Sequence, residues 1–272
     1  MPALHTDWLT PDWPAPAGVR AVFTTRAGGL SAAPYDSMNL GDHVADLPVK
    51  VAANRTLLRQ ALGSRAVFLQ QVHGSKVLVL HGDTADGQEA DACVTDQTGL
   101  ACTIMVADCL AVLLASEDGA VVAAAHAGWR GLAGSPSGTQ GVLESVYESF
   151  RALAQKGYGQ AAIKTIAWLG PCIGPSAFEV GAEVKAAFEA VQPEAGRLFL
   201  PNGTGKYLAD LPALARLRLK AMGITQVYGN DGSDAWCTVR NPSRFFSHRR
   251  DAGPTGNGFG TTGRMAACIW RT

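Results

Sequence analysis

Three side chains in this sequence have the chemistry of metal ligands, or of a nucleophile and its base. His73, Cys109 and His126 each stand where an apolar, strand-like run meets a turn. Imidazole nitrogen and thiolate sulfur are ligands that zinc uses, and three protein ligands leave a fourth position for water. A cysteine nucleophile with a histidine base needs the same residue types. Any one of the three alone is more often a packed core residue.

The spacing of Cys109 and His126 can be tested against a β-hairpin, because strand-like runs flank Glu117-Asp118-Gly119. If the two-residue turn is Glu117-Asp118, the numbers of paired residues sum to 235 and Cys109 lies opposite His126. If it is Asp118-Gly119, the favoured turn dipeptide, the sum is 237 and the two are diagonal neighbours on one face. A three-residue turn places them on opposite faces. Two of the three registers therefore bring the sulfur and the imidazole together.

Two carboxylates stand near these residues in the sequence. Asp91 either orients a ligand histidine through its second ring nitrogen or simply begins a strand. Asp108, next to Cys109, points to the opposite face if the strand continues, so we expect it to form a salt bridge or a cap. The other candidate histidines, His5, His43 and His81, look like loop or surface residues.

The elements that must position these residues are short apolar strands followed by helices. Most of the runs are too apolar to alternate, which indicates strands covered on both faces. The predicted strands are 19–25, 66–72, 76–80, 91–95, 101–106, 111–115, 121–125 and 163–169, and the predicted helices are 48–62, 142–156, 180–191 and 211–222. Strands and helices come in blocks without strict alternation. We therefore predict an α+β fold with mixed sheets flanked by helices, forming one domain over residues 1–272 with a lead-in over about 1–18.

Composition limits the class of partner and compartment. Lys plus Arg and Asp plus Glu each number 23, and a neutral chain lacks the charge of a nucleic-acid binder or an acidic-membrane binder. The longest apolar passage, 100–115, contains Asp108 and is too short to span a bilayer. Six cysteines without a CxxC pair do not form a disulfide framework, and four of them, at 93, 102, 172 and 268, are predicted to lie in the core. We expect a cytoplasmic protein without nucleic-acid or membrane partners.

Nine short motifs occur in a fixed order along the chain. They are TTRAGG (24–29), MNLG (38–41), QVHG (71–74), ADC (107–109), AHAGWRG (125–131), GPCIGP (170–175), FEVG (178–181), RRD (249–251) and TGRM (262–265). This set resembles the YfiH-type family, which is also called the laccase-domain or polyphenol oxidase family. The resemblance extends from about residue 20 to residue 270.

The resemblance implies a fold similar to the catalytic domain of cytotoxic necrotizing factor, and a catalytic zinc site formed by His73, Cys109 and His126. It also implies phosphorolysis of adenosine, inosine and methylthioadenosine, with adenosine deamination as a side activity. The partners are then purine nucleosides and phosphate. The cations available for an anionic substrate are Arg26, Arg130, Arg249 and Arg264, and Asn39 is a candidate for a sugar hydroxyl.

Two features depart from the family pattern. The stretch from Gly134 to Gly141 is longer than the usual link, and His248 stands where the family commonly has tyrosine. Both are expected to affect substrate preference rather than the metal.

Three other functions fit the same residues. A copper polyphenol oxidase would use copper at the His-Cys-His set, although six histidines without a His-x-His pair are too few for a multicopper centre. A metal-free cysteine hydrolase would use Cys109 as nucleophile and His126 as base. A structural zinc in a binding module would need a fourth protein ligand, for which the sequence offers no candidate.

Overall fold

The computed structural model describes residues 4–134, 140–158, 164–252 and 260–272, with the backbone alone at 156–158. The strands are β1 (Val19–Phe23), β2 (Arg65–Phe68), β3 (Val77–Val79), β4 (Ala92–Thr95), β5 (Leu100–Val106), β6 (Leu110–Ser116), β7 (Val122–Ala127), β8 (Thr165–Leu169), β9 (Glu179–Gly181), β10 (Phe199–Pro201), β11 (Lys206–Ala209), β12 (Gln226–Gly229) and β13 (Met265–Arg271). The helices are α1 (Pro48–Leu62), α2 (Trp129–Ala133), α3 (Val142–Tyr158), α4 (Ala182–Val191), α5 (Leu211–Ala221) and α6 (His248–Asp251), with 3₁₀ turns at Pro193–Leu198 and Asp234–Trp236.

Two sheets face each other across the main core. One has the strand order β1-β13-β5-β2 and the other β12-β8-β6-β7-β4-β3, and both mix parallel with antiparallel pairs. Helix α1 packs on the outer face of the first sheet, and α3 and α5 pack on the outer face of the second. Strands β10, β11 and β9 form a separate three-stranded sheet. The α+β class with mixed sheets is confirmed.

The near-continuous apolar strands are explained by burial on both faces. In β5, Leu100, Cys102 and Ile104 point between the two sheets, while Ala101 and Met105 point toward α1. Successive side chains of a strand point to opposite faces, so a strand covered on both sides needs apolar residues at every position. All seven residues of β5 are buried.

The β6–β7 hairpin adopts the register in which Cys109 and His126 are diagonal neighbours, the second of those considered from the sequence. Ala111 pairs with His126 and Leu110 with Ala127, so the paired numbers sum to 237. This register was expected from an Asp118-Gly119 turn, but the Gly119 N–H donates to the Ser116 carbonyl, so the turn closes over Glu117 and Asp118. Gly119 follows with a left-handed φ of 71° that favours glycine. Cys109, one residue before β6, is therefore a diagonal neighbour of His126.

Sequence patterns missed several elements of the second half of the chain. Helix α1 agrees with the prediction, and α3, α4 and α5 agree within two residues. The strands β9 to β13 were not predicted, because four of them have three or four residues and β13 follows a glycine-rich stretch. The segment from Gly134 to Gly141 lies largely outside the described residues.

In the described part of the chain, no helix combines the length and the apolar character needed to cross a bilayer.

Candidate metal centre

Cys109 and His126 lie on the face of the β6–β7 hairpin that points between the two sheets. Ala111, which pairs with His126, and Leu113 belong to the core between the sheets, and Cys109 packs against the same core. His126 is buried at 3% exposure, whereas Cys109 is partly exposed. The hairpin thus carries both side chains to the end of the core, where the space between the sheets opens.

His73 reaches this place on a tight loop that a buried carboxylate holds. Asp91, with no exposed surface, accepts hydrogen bonds from the backbone N–H groups of Val72 at 3.2 Å, His73 at 2.8 Å and Gly74 at 2.7 Å. His73 adopts a φ of 63°, a left-handed conformation that is uncommon for residues other than glycine. The three bonds to one carboxylate stabilise this conformation. They form because Asp91 lies directly before β4, next to the His73 loop.

Asp91 also orients His126. Its Oδ1 lies 2.8 Å from His126 Nδ1, and its backbone carbonyl accepts the His126 backbone N–H at 2.7 Å. A carboxylate on one ring nitrogen fixes the orientation of a ligand histidine and leaves the other nitrogen for the metal. Of the two roles considered for Asp91, the structure supports the orienting one, and the residue stands at the start of β4 as well.

The three candidate ligand atoms lie close enough for one metal ion. His73, Cys109 and His126 place their ligand atoms within 4.8 Å of one another, and Cys109 Sγ is 3.7 Å from His73 Nε2. The two imidazole rings meet edge to face, with centroids 4.7 Å apart. No fourth Cys, His, Asp or Glu joins this group within residues 4–134, 140–158, 164–252 and 260–272. The donor set therefore fits a metal ion with an open coordination position.

The electrostatics of the cluster favour a thiolate. Burial by itself would raise the pKa of the Cys109 thiol, but the charge and hydrogen bonds of His126 and His73 lower it to about 6. Burial would likewise lower the pKa of His126, but the Cys109 thiolate and the Asp91 carboxylate raise it to about 9. Asp91 has a lowered pKa because the bonds from His126 and the Gly74 backbone outweigh its burial. Thiolate sulfur is the form that binds metal and acts as a nucleophile.

Gly128 gives the cluster its space. A Cβ atom on this residue would lie 2.8 Å from His73 Cδ2 and 3.1 Å from Cys109 Sγ. Its φ of −65° and ψ of 157° are open to any residue, so the requirement for glycine is steric and not conformational. The glycine of the AHAGWRG motif is thus explained by the approach of two ligands over the backbone.

The cluster opens into a cavity of about 460 Å³ whose charged lining is mainly cationic. Arg130, Arg249 and Arg264, three of the arginines singled out from the sequence, line it, and Asp108 is its only carboxylate among the described residues. Both Asp108 oxygens already accept hydrogen bonds, from the Thr238 hydroxyl and from the Arg249 backbone, each at 2.6 Å. The cavity therefore offers unpaired positive charge beside the ligand cluster.

Arg26 and Asn39 lie outside the residues that line this cavity. Arg26 donates to the carbonyls of Asp36 and Pro242 and pairs with the Asp36 carboxylate. Asn39, which is fully buried, accepts the backbone N–H groups of Gly41 and Arg264 and donates to Asp46 and to the carbonyl of Gly41. The structure thus occupies both side chains with loop contacts, and we assign neither to substrate.

Several cavity residues were missed or undervalued from the sequence. His43, expected at the surface, and His248 are exposed but line the cavity. Trp129, Ile173, Phe178 and Leu211 form its apolar wall. Trp129, Ile173 and Phe178 belong to three of the family motifs, which was the only indication of a role in the sequence. Leu211 belongs to none of these motifs. The four cysteines predicted for the core, at 93, 102, 172 and 268, are buried.

The pKa of Cys109 gives a testable pH dependence. In metal-free protein, we expect the alkylation rate of Cys109 by iodoacetamide to rise between pH 5 and 7, with its midpoint near pH 6, and to stay level up to pH 9. Above the pKa the thiol is already a thiolate, so further base adds nothing. Mass spectrometry locates the alkylated residue, and the five buried cysteines are the internal control. A rate that still rises between pH 8 and 9 would contradict the prediction.

Gly128→Ala tests the steric requirement at the cluster. The added methyl group overlaps His73 and Cys109, so we expect the affinity for added Zn²⁺ to fall at least about tenfold, equivalent to about 1.4 kcal/mol. Competition with a fluorescent chelator measures the affinity. The matched control is Gly82→Ala, because a Cβ at Gly82 meets no atom within 4 Å. Equal affinities of the two variants would show that the ligands approach differently.

The comparisons with known proteins find relatives over nearly the whole chain. The family model described as multi-copper polyphenol oxidoreductase laccase matches residues 20–272. A protein of Pseudomonas aeruginosa named purine nucleoside phosphorylase is 47% identical over 264 residues, which cover 97% of this chain and 98% of that protein. The Escherichia coli purine nucleoside phosphorylase YfiH is 46% identical, with 96% and 98% covered.

A solved structure shows the same fold. The crystal structure of Neisseria meningitidis protein NMB0706 superposes with a TM-score of 0.82 at 44% identity, covering 98% of this chain and 99% of that one. The expected likeness to cytotoxic necrotizing factor is not tested by these comparisons and stays a prediction. The match over nearly the full length identifies the family. This chain belongs to the multi-copper polyphenol oxidoreductase laccase family, which includes the YfiH-type proteins.

Proposed function

We propose that this protein is a zinc-dependent purine nucleoside phosphorylase. The observation that carries the proposal is the His73, Cys109 and His126 cluster at the wall of a cavity lined by three arginines. Close relatives named purine nucleoside phosphorylase support the reaction class. A volume of about 460 Å³ lies within the range of small-molecule sites.

The residues present fit a zinc ion with an open position. Two imidazoles and one thiolate are ligands that zinc accepts, and Asp91 supplies the carboxylate that orients His126. When bound at such a site, zinc supplies a Lewis acid and lowers the pKa of a coordinated water. The chain's own contribution is to hold the thiolate and both rings in place before any substrate arrives.

Phosphorolysis joins a phosphate oxygen to C1′ of the sugar as the bond to the purine nitrogen breaks and the purine leaves with a proton. The reaction needs a site for a phosphate anion, and Arg264 is our first candidate. Burial lowers the pKa of the Arg264 guanidinium, and no carboxylate forms a salt bridge with it in the described ranges. Some arginines outside the cavity do form ion pairs, as Arg55 does with Asp42. An incoming phosphate would offset this unpaired charge.

The nucleoside base has an apolar wall to lie against. Trp129 and Phe178 offer aromatic faces, and Ile173 and Leu211 complete the wall. The Arg130 guanidinium stacks on Trp129, with its central carbon 4.4 Å from the ring centroid. We assign the flat purine to this wall and the phosphate to the arginines.

Adenosine deamination remains a prediction from the family resemblance. The reaction usually needs a carboxylate that transfers a proton beside the zinc. Asp108, the only cavity carboxylate among the described residues, uses both oxygens in hydrogen bonds to Thr238 and Arg249. The geometry therefore favours phosphorolysis as the main activity and deamination as a side activity.

A metal-free cysteine hydrolase is the second candidate, and one observation favours it. Cys109 and His126 have ligand atoms within 4.8 Å of each other, and His126 Nδ1 lies 2.8 Å from Asp91 Oδ1, so a nucleophile, a base and an orienting carboxylate stand in order. This is the arrangement of catalytic triads. His73 is the residue that this function leaves without a role, since a triad needs one histidine.

Copper oxidase chemistry would need more histidine clusters. All six histidines lie within the described ranges, and only His73 and His126 belong to a metal-binding group there. A multicopper centre is therefore unsupported, although one copper ion could occupy the same three ligands. Metal analysis of the purified protein, carried out together with assays of both activities, distinguishes copper from zinc.

The main test is product analysis with and without phosphate. We expect the purified protein to convert adenosine to adenine and ribose 1-phosphate only when phosphate is present, as measured by chromatography. A chelator should abolish turnover and added Zn²⁺ should restore it, and His73→Ala and Cys109→Ala should be inactive but folded. Activity that survives the chelator would favour the cysteine hydrolase. Base release without phosphate would indicate hydrolysis, and inosine as a product would reveal deamination.

Arg264→Gln tests the phosphate site. A hydrogen bond to a charged group contributes about 1.5–3 kcal/mol, so we expect the KM for phosphate to rise at least about tenfold while the KM for adenosine changes less. Arg26→Gln is the matched control, because Arg26 is engaged with Asp36 and Pro242 outside the cavity. Steady-state kinetics measure both constants. A rise for Arg26→Gln alone would reverse our assignment.

A further inference from the structure

Asp108 links the metal cluster to the opposite part of the cavity wall. It precedes the ligand Cys109, and its Oδ2 accepts the backbone N–H of Arg249 in α6 at 2.6 Å. Its Oδ1 accepts the Thr238 hydroxyl at 2.6 Å, and its carbonyl accepts the Ile173 backbone N–H at 2.8 Å. One residue thus contacts two regions far from it in the sequence, at Ile173 and over 238–249.

The conformation of Asp108 is itself unusual. Its φ is 91°, a left-handed value that residues other than glycine, asparagine and aspartate rarely adopt. Such residues cluster at functional sites, where the surrounding contacts hold them. The turn leads the chain from β5 in one sheet to β6 in the other, with the Asp108 carboxylate on α6 and the next side chain, Cys109, in the candidate metal cluster.

Arg249 is the cation that this link controls. Its side chain lines the cavity and donates to the carbonyls of Ala177 and Glu179, at 3.5 and 3.1 Å, without forming an ion pair in the described residues. The side-chain bond to Ala177 is long and the one to Glu179 has ordinary length, whereas the backbone bond to Asp108 is the shortest of the three. The Asp108 contact therefore restrains the backbone position of Arg249, from which its side chain reaches the cavity.

We propose that Asp108 is a positioning residue that fixes Arg249 at a set place relative to the Cys109 ligand, so that Arg249 meets the anionic co-substrate. The part concerning phosphate rests on the proposed function. Because both oxygens of Asp108 accept hydrogen bonds, the residue acts through Arg249 and not by proton transfer. The proposal adds a residue between the metal site and the phosphate site.

Two substitutions separate positioning from proton transfer. Asparagine tolerates a positive φ, and its amide can accept the Arg249 N–H and donate to the Thr238 oxygen, but it cannot transfer a proton. Asp108→Asn should therefore keep kcat and the KM for phosphate within about threefold of wild type, with an unchanged pH profile. Glycine accepts the backbone but removes the carboxylate. Asp108→Gly should raise the KM for phosphate at least about tenfold, the loss of one charged hydrogen bond, with zinc content unchanged.

A second readout does not depend on catalysis. Hydrogen exchange of the Arg249 amide, followed by mass spectrometry on peptides that differ at this residue, should be at least about tenfold faster in Asp108→Gly and unchanged in Asp108→Asn. Asp118→Gly is the matched control, since Asp118 also accepts a hydroxyl at 2.6 Å and a backbone N–H at 3.0 Å, but at the hairpin tip. Thr238→Val, which removes one donor, gives an intermediate effect and replaces Asp108→Gly if that variant does not fold.

Each outcome has one meaning. Loss of kcat in Asp108→Asn would overturn the proposal in favour of proton transfer. Unchanged exchange and unchanged KM in Asp108→Gly, even with a lower melting temperature, would reduce Asp108 to a structural residue. If wild-type protein shows no phosphorolysis, the proposed function fails, while the exchange experiment still decides whether Asp108 holds Arg249.

Discussion

The buried carboxylate of Asp91 is the interaction on which the site depends. It accepts hydrogen bonds from three consecutive backbone N–H groups of the His73 loop and pairs with His126 Nδ1. One side chain therefore positions two of the three candidate ligands. A buried carboxylate without partners would be costly, and here each bond also orders a ligand. Asp91 is not itself one of the candidate ligands, and its hydrogen bonds position His73 and His126 relative to each other.

Several residues with unusual backbone or steric requirements lie at the site. His73 and Asp108 have positive φ values, and Gly128 leaves room that any larger residue would fill. Residues held in such conformations cost about 1–3 kcal/mol each and persist where surrounding contacts fix them. Asp91 supplies those contacts for His73, and Thr238 with Arg249 supplies them for Asp108. The burial of the two apolar sheets offsets this conformational cost, because their strands stabilise the positions from which both turns start.

Much of the fold followed from periodicity and turn chemistry. The helix Pro48–Leu62 was predicted with its bounds, because a proline begins it and a glycine follows it. The hairpin register was limited to a few choices by the turn residues Glu117-Asp118-Gly119, and the favoured one is present. Short strands such as Glu179–Gly181 escaped prediction, because three residues carry no period and pair only with partners distant in sequence.

The sequence by itself singled out His73, Cys109 and His126, limited the pairing of Cys109 and His126 to a few registers, and carried the family pattern. Only the tertiary structure decided that Arg130, Arg249 and Arg264 share a cavity while Arg26 does not. Residue types and turn preferences act over a few positions, so they can be predicted from the sequence. Whether a guanidinium lines the cavity or pairs with a carboxylate elsewhere depends on which segments pack beside it, and that packing joins residues separated by more than a hundred positions.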